Sequence, residues 1–177
     1  MRVRTVLVLL LVAFATLAFC QRDKSQRPSP PAQAQCSLPE GKTITVNYSS
    51  PRAKGRKIFG DLVPYGEVWR TGANEATALT TSANLSVGSL AVPAGNYTIF
   101  TVPNQDKWTL IINKKTGEWG IPYNYESEEL GRTDMKVSQT PSPVENFTIA
   151  FDQTGVSCQM NISWESTKAS IALVEKK

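Results

Sequence analysis

The 177-residue chain contains no histidine. This absence excludes the serine–histidine–aspartate triad, the cysteine–histidine dyad and the histidine-containing ligand sets that usually hold zinc or copper. The catalytic chemistry that remains is a carboxylate pair of the glycosidase kind, for which Glu67 and Glu75 are the nearest candidates. Paired acids in loops are usually solvated charges, so we assign no catalytic residue to them. The sequence also offers no metal ligand set and no cofactor motif.

The part of the chain that would fold has no net charge. The chain carries 19 basic and 15 acidic residues, and the excess of basic residues lies before Cys36. That segment holds one acid, Asp23, and five bases: Arg2, Arg4, Arg22, Lys24 and Arg27. From Cys36 onward, 14 basic and 14 acidic residues remain. A neutral domain lacks the attraction to phosphate on which nucleic-acid binding depends, so no nucleic-acid partner is expected.

Long helical repeats are also missing from the sequence. Apolar residues instead alternate with polar ones, as they do in strands that bury one face, most clearly in KWTLIIN, ENFTIAFD and VSCQMNISW. Further strand candidates are TITVNYS, TALTTS, NYTIFTV and KASIALV, each bounded by Gly, Pro, Asn or Asp. Many short strands separated by turn residues predict one all-β domain, an antiparallel β-sandwich or a jelly-roll-like barrel with little helix.

The N-terminus has the order of charged, apolar and small residues that is typical of a secretory signal peptide. We assign residues 1–20 to this peptide, because the apolar run that starts at Val6 is short for a membrane span. The protein is therefore expected to be exported, to the periplasm or cell envelope or out of the cell. Residues 21–35, QRDKSQRPSPPAQAQ, predict a polar, proline-rich spacer, and residues 36–177 form the folded domain.

Two fates of the signal peptide stay open at Cys20. The segment Leu17-Ala18-Phe19-Cys20 is similar to a bacterial lipoprotein box, although Phe19 is larger than the residue usually found before the cysteine. Lipidation of Cys20 would tether the domain by its acyl chains. Ordinary cleavage after Ala18 would release it. Contact with a membrane is expected only through the signal peptide or such a lipid anchor.

The chain has few cysteines, three in all. Once Cys20 is removed or lipidated, Cys36 and Cys158 remain as a pair, and export permits a disulfide between them. The alternative is that Cys158 is a small buried apolar residue, because it lies on the apolar side of the strand candidate VSCQMNISW. The sequence leaves both alternatives open.

The stretch YGEVWRTGANEAT, residues 65–77, concentrates polar and aromatic groups beside two glycines. In one interpretation it binds a carbohydrate or another small polar ligand through one aromatic face and three polar side chains: Trp69, Arg70, Asn74 and Glu75. In the other it is a structural corner, with Trp69 in the core, Arg70 paired with a neighbouring glutamate and Asn74 capping the turn. We expect a corner first, in which Arg70 is structural. Asn74 and Glu75 follow Gly72 in the turn and are expected to be accessible at its rim.

Two more aromatic residues, Trp119 and Tyr123, lie in the longest irregular connection, EWGIPYNYESEE. Because loops often carry binding residues, these rings are candidates for a ligand platform. The alternative is that they cover one end of the sandwich as a lid. If this loop and the 65–77 corner meet in space, the binding interpretation gains much support.

Four ordered blocks cover most of the chain from Ser50 to Trp164: SPRAKGRKIFGDLVPYGEVWRTGANEAT, VPAGNYTIFTVP, WTLIINKKTGEWG and NISWESTK. In these blocks the chain resembles the bacterial domain of unknown function 2911 family. The resemblance implies an exported bacterial domain with no assigned activity. No functional residue follows from it.

These features predict an exported bacterial envelope domain that is a non-catalytic binding or interaction module, with a carbohydrate or small polar ligand as its partner. The alternative is a small hydrolase that uses a carboxylate pair, and a purely structural domain is a third class. A hydrolase requires two acids in one cleft, one of them with a raised pKa, whereas a binding module requires only aromatic and polar groups lining the cleft. A structural domain requires no cleft.

Overall fold

The computed structural model describes residues 23–176, which form an all-β domain. Its strands are β1 (Pro31–Ser37), β2 (Thr43–Ser49), β3 (Thr77–Thr81), β4 (Leu85–Val87), β5 (Leu90–Val92), β6 (Gly95–Val102), β7 (Lys107–Asn113), β8 (Glu129–Thr154) and β9 (Ser157–Glu175). Within the described range the helical elements are short 3₁₀ turns, at Lys24–Gln26, Pro39–Gly41 and Glu126–Glu128.

The nine strands pair antiparallel in one sheet, in the order β1-β2-β3-β6-β7-β8-β9-β4-β5. This topology confirms the predicted all-β class. The alternation that predicted it is visible in β9, where one set of alternating side chains is buried: Cys158, Met160, Ile162 and Trp164.

The two longest strands bend the sheet over itself. Register shifts between Gln139 and Thr148 interrupt the pairing of β8 with β9, and such irregularities bend a strand pair. Beyond the bend, β8 packs against β1, and the Tyr48 hydroxyl of β2 accepts a 3.1 Å hydrogen bond from the Ile149 N–H. The result is a sandwich-like domain around one hydrophobic core.

A disulfide joins Cys36 of β1 to Cys158 of β9, with 6.2 Å between the two Cα atoms. Both side chains are buried, so Cys158 is also a core residue, and the predicted bridge is confirmed. The bond connects the first strand of the sheet to the bent β8–β9 pair. A buried disulfide fits an extracytoplasmic location.

A cluster of five aromatic rings occupies the core beneath the corner at residues 65–77. Trp69 lies among the other four, Phe59, Trp108, Phe147 and Trp164, at centroid distances of 6.0, 6.2, 5.2 and 6.1 Å. All five residues are buried. Burial of each ring stabilises the fold by about 2 to 3 kcal/mol. The cluster is therefore a rigid base for the corner above it.

The folded domain begins earlier than the predicted spacer allows. Residues 31–35, assigned to the spacer over 21–35, belong to β1 and pair with β2 in the register Pro31↔Ser49 to Gln35↔Thr45. Ala34 faces the core, as Cys36 does. Alanine and glutamine alternate after Pro31, but alanine is a weak strand signal beside the prolines of the spacer, so this alternation was not recognised. Pro31 is tolerated because it is the first residue of an edge strand.

The predicted signal peptide and Cys20 lie outside the described residues. Between Asp23 and Lys176, no helix is long and apolar enough to cross a membrane.

Candidate functional site

The 65–77 stretch forms a corner that runs beside the C-terminal end of β6 and leads into the start of β3. Trp69 and Thr101 of β6 form a single antiparallel bridge, with Trp69 N donating to Thr101 O at 2.8 Å and Thr101 N donating to Trp69 O at 2.9 Å. The chain then bends over residues 71–75 and enters β3 at Thr77. The backbone is therefore the expected corner.

Three buried threonine hydroxyls stabilise this corner, a role that the sequence did not predict. The Thr77 hydroxyl donates to Thr71 O at 2.7 Å, and the hydroxyls of Thr71 and Thr101 lie 3.1 Å apart. None of the three residues is exposed to solvent. Each such bond contributes about 1 kcal/mol. Threonine is common on strands of every kind, so its presence in the sequence carried no signal for this network.

Gly72 allows the corner to close tightly against β2. Its φ is 152°, and a Cβ at this position would lie 3.0 Å from Ser49 O and 3.3 Å from Thr77 Oγ1. The Gly72 carbonyl accepts a 3.1 Å hydrogen bond from Trp69 Nε1. The polar atom of the Trp69 indole is therefore satisfied within the corner, and only 7% of the residue is exposed. Trp69 is a core residue at the base of the site and not an open stacking surface.

The connection between β7 and β8, residues 114–128, carries the second group of predicted aromatic residues, and we call it the aromatic loop. Its Tyr123 packs edge-on against Phe100, with 4.8 Å between the ring centroids, and donates a 2.6 Å hydrogen bond to Glu129 Oε1. Burial, together with this bond to Glu129, raises the pKa of the Tyr123 hydroxyl. Tyr123 therefore fastens the loop to the sheet, as the lid alternative predicts.

The corner and the aromatic loop meet in space. The Arg70 guanidinium carbon lies 5.1 Å from the centroid of the Trp119 ring, a cation–π contact, and Arg70 Nη1 donates a long hydrogen bond of 3.5 Å to Trp119 O. Ala76 N donates to Glu118 O at 3.1 Å. At Gly120 a Cβ would lie 2.8 Å from Ala76 Cβ, so the two segments are in close packing contact. The condition that favours the binding interpretation is met.

A cleft of about 350 Å³ lies beside this junction, and we call it the corner cleft. Trp69 and Trp164 of the aromatic cluster reach its base, and apolar side chains from two other segments, Leu62 and Ile121, form its walls. These two wall residues are 46% and 44% exposed. Large apolar side chains that remain this exposed around a concavity are typical of ligand sites, and the volume suits a small molecule.

Three charged side chains line the corner cleft: Arg56, Glu67 and Arg70. The guanidinium of Arg56 already donates to two backbone carbonyls, from Nε to Ala53 O at 3.0 Å and from Nη2 to Arg52 O at 2.6 Å. The cleft is therefore lined by two cations and one carboxylate, among otherwise mostly apolar walls.

The expected ion pair between Arg70 and a neighbouring glutamate is absent. Across residues 23–176, no carboxylate oxygen lies within ion-pair distance of its guanidinium. Burial lowers the pKa of Arg70, and the charge of Glu75 offsets part of this effect. The prediction that Arg70 is fixed by an ion pair with Glu67 or Glu75 is therefore wrong. Glu75 pairs with Lys24 and Arg27 instead, and Glu67 forms no ion pair within residues 23–176.

Asn74 and Glu75 do not line the corner cleft but hold the N-terminal segment. Asn74 Nδ2 donates to Ser29 O at 3.0 Å, while Glu75 accepts hydrogen bonds of 3.0 and 2.8 Å from Arg27 and lies 3.1 Å from Lys24 Nζ. A hydrogen bond from its own backbone N–H, with the contacts to Arg27 and Lys24, lowers the pKa of Glu75 to about 2. Asn74 and Glu75, which were expected to be accessible, are therefore both bonded. The sequence did not predict this because the two cations come from the segment predicted as a spacer.

The two candidate catalytic carboxylates do not share a cleft. Glu67 lines the corner cleft, whereas Glu75 lines a separate, shallow depression together with Lys24 and Arg27. The pKa of Glu75 is lowered, whereas a general acid requires a raised one. Over the described part of the chain, no three side chains of the usual metal-ligating types come together.

Comparison with known proteins identifies one family. A family model described as "Protein of unknown function (DUF2911)" matches residues 29–173. No curated protein and no solved structure matches the chain. The matched range starts at Ser29, immediately before β1, and therefore agrees with the early start of the folded domain.

Proposed function

The chain belongs to the DUF2911 family, and we propose that it is a non-catalytic module of the bacterial cell envelope that binds a small polar ligand in the corner cleft. A carbohydrate is one ligand class of this kind. The observation that carries the proposal is the contact of Arg70 with Trp119, which joins two segments distant in sequence beside one cleft. A purely structural domain requires no such cleft.

The groups that line the cleft support binding without catalysis. Its walls offer apolar contacts through Leu62 and Ile121, and its charged side chains offer oriented hydrogen bonds. Glu67 is its single acid, so the two-carboxylate mechanism has no second partner there. A few polar groups among apolar walls are the usual composition of a small-molecule site.

The location in the envelope is supported by the signal-peptide pattern of residues 1–20 and by the buried disulfide. We propose Cys20 as the residue at which a lipid anchor would be attached. Expression of the full-length gene with Cys20→Ser tests the anchor. A protein that moves from the detergent-soluble membrane fraction to the soluble fraction would establish lipidation, and an unchanged soluble protein would exclude it.

Tryptophan fluorescence provides the test of ligand binding. Trp119 is 54% exposed, whereas the other three tryptophans, Trp69, Trp108 and Trp164, are at most 7% exposed. Trp119 contacts Arg70 without lining the cleft, so a compound that engages Arg70 is expected to change the emission of Trp119 and its quenching by acrylamide. A library of small sugars, sugar acids and polar metabolites is titrated into the purified protein, with the thermal unfolding midpoint as a second readout.

Two variants with matched exposure separate the cleft from the rest of the surface. Ile121→Ser removes an apolar wall of the cleft, and Val156→Ser removes an apolar side chain of similar exposure, 43%, from the β8–β9 turn. We expect Ile121→Ser to weaken binding by about tenfold and Val156→Ser to leave it unchanged. If no compound at about 10 mM alters fluorescence or the unfolding midpoint, the proposal is wrong.

A further inference from the structure

We propose that the ligand of the corner cleft is a small organic monoanion, whose carboxylate is bound by Arg70 and whose apolar body lies against Leu62 and Ile121. This inference rests on the proposed binding function and narrows it from small polar ligands in general to one charge class.

The first support is the state of the Arg70 guanidinium. It is half-buried, its hydrogen bond to Trp119 O is long at 3.5 Å, and within residues 23–176 it has no carboxylate in ion-pair contact. A cation that has lost part of its hydration without gaining a counterion is destabilised, and its lowered pKa has this origin. A carboxylate in the cleft would supply the missing partner.

The second support is the position of the guanidinium over the Trp119 ring. A cation–π contact restricts a long flexible side chain without using its N–H donors. The planar fork of arginine binds a carboxylate through two parallel hydrogen bonds, and less side-chain entropy is lost when the fork is already restricted. The Arg70 guanidinium is therefore preorganised to bind a planar anion.

The third support is the charge and polarity of the whole cleft. Arg56, Arg70 and Glu67 leave one positive charge in excess among the lining residues. One negative charge on the ligand balances it. The exposed side chains of Leu62 and Ile121 lie on the same cleft and would be covered by the apolar part of such a ligand.

The experiment uses matched pairs of probes that differ only in charge. Small aromatic and aliphatic monocarboxylates, such as phenylacetate and hexanoate, are compared with their primary amides by calorimetry on the purified protein at low ionic strength. We expect each carboxylate to bind about tenfold more tightly than its amide, and its affinity to fall as salt is added.

Arg70→Gln is expected to remove this preference, so that carboxylate and amide bind alike. The control is Lys136→Gln, which removes one positive charge from an exposed position of β8 that does not line the cleft. It is expected to leave the preference intact.

The outcomes separate this inference from the function on which it rests. If amides bind as tightly as carboxylates and Ile121→Ser weakens both, the cleft is a binding site and the monoanion inference is wrong. If Lys136→Gln reduces the preference as much as Arg70→Gln does, the effect is one of total charge and the role of Arg70 is wrong. If neither carboxylates, amides nor the compounds of the wider library bind, the binding function itself is wrong.

Discussion

At the scale of single residues, the polar side chains of the corner differ in the residues that they contact. Glu75 is enclosed by two cations from the N-terminal segment, and Asn74 holds the same segment through Ser29. Arg70, five residues before Glu75, contacts the exposed ring of Trp119. Residues that are close in the sequence of the corner thus have different surroundings, because Arg70 lines the corner cleft and Glu75 lines a separate depression.

The first prediction concerns the pH dependence of stability through Glu75. Its pKa falls from 4.5 to about 2 on folding, so its contribution is complete above about pH 5 and is lost as the pH falls through about 2. The Glu75 side chain is 40% exposed, so solvent screening limits this contribution to about 1 kcal/mol or less. Glu75→Gln should therefore lower the unfolding free energy at about pH 7 and have a smaller effect at about pH 2, where the carboxylate of the folded protein is half protonated.

Urea denaturation at several pH values measures this difference. Asp106→Asn, at an exposed carboxylate in the turn between β6 and β7, is the matched control. The account predicts that only the Glu75 variant loses part of the pH dependence. An equal loss at every pH, or none, would mean that the contacts with Arg27 and Lys24 do not form in solution.

At the scale of elements, the sequence predicted β2, β3, β6 and β7 well and β8 and β9 only in part, and it gave no candidate for β1, β4 and β5. KWTLIIN coincides with β7 and TITVNYS with β2, because each strand begins with alternating polar and apolar residues and is bounded by turn residues. ENFTIAFD, in contrast, is only the end of the 26-residue β8, and VSCQMNISW and KASIALV belong to one strand, β9. The bend in these strands interrupts the alternation without ending the strand.

The second prediction concerns the attachment of the aromatic loop. Tyr123→Phe removes the 2.6 Å hydrogen bond to Glu129 and should lower the unfolding free energy by about 1 kcal/mol, because the group is partly exposed. Tyr125→Phe is the control, since the Tyr125 hydroxyl reaches Glu118 only at 3.5 Å. Hydrogen exchange of residues 114–128 should accelerate in the first variant and change little in the second. No acceleration in either variant would show that ring packing alone holds the loop, and equal acceleration in both would mean that the bond to Glu129 has no special role.

At the scale of the whole molecule, the disulfide and the corner cleft depend on segments that the sequence separates widely. The sequence offered the pairing of the two cysteines as one of two alternatives, because export and an even count permit a disulfide. The cleft had no comparable signal in the sequence. It depends on the junction of Arg70 with Trp119 and on the exposure of Leu62 and Ile121, which are properties of the tertiary structure.

The third prediction is that removal of the disulfide strongly destabilises the domain. Cys36 and Cys158 are separated by 122 residues, and closing so long a loop restricts the unfolded chain by roughly 4 to 5 kcal/mol. The double variant Cys36→Ala/Cys158→Ala should lose about this much unfolding free energy in urea denaturation. If it fails to fold, denaturation of the unaltered protein with and without reductant gives the same comparison. A change below about 1 kcal/mol would contradict the prediction.

The central claim is that the corner cleft is a ligand site, and a map of where small compounds bind tests it most directly. Backbone amide shifts of the purified protein are recorded by NMR during titration with the best compound of the screen. The account predicts that the shifts concentrate at residues 68–73 and 119–121 and at the indole N–H of Trp119, and that Ile121→Ser reduces them. Shifts confined to another surface, such as the depression at Glu75, or no shift with any compound, would contradict it.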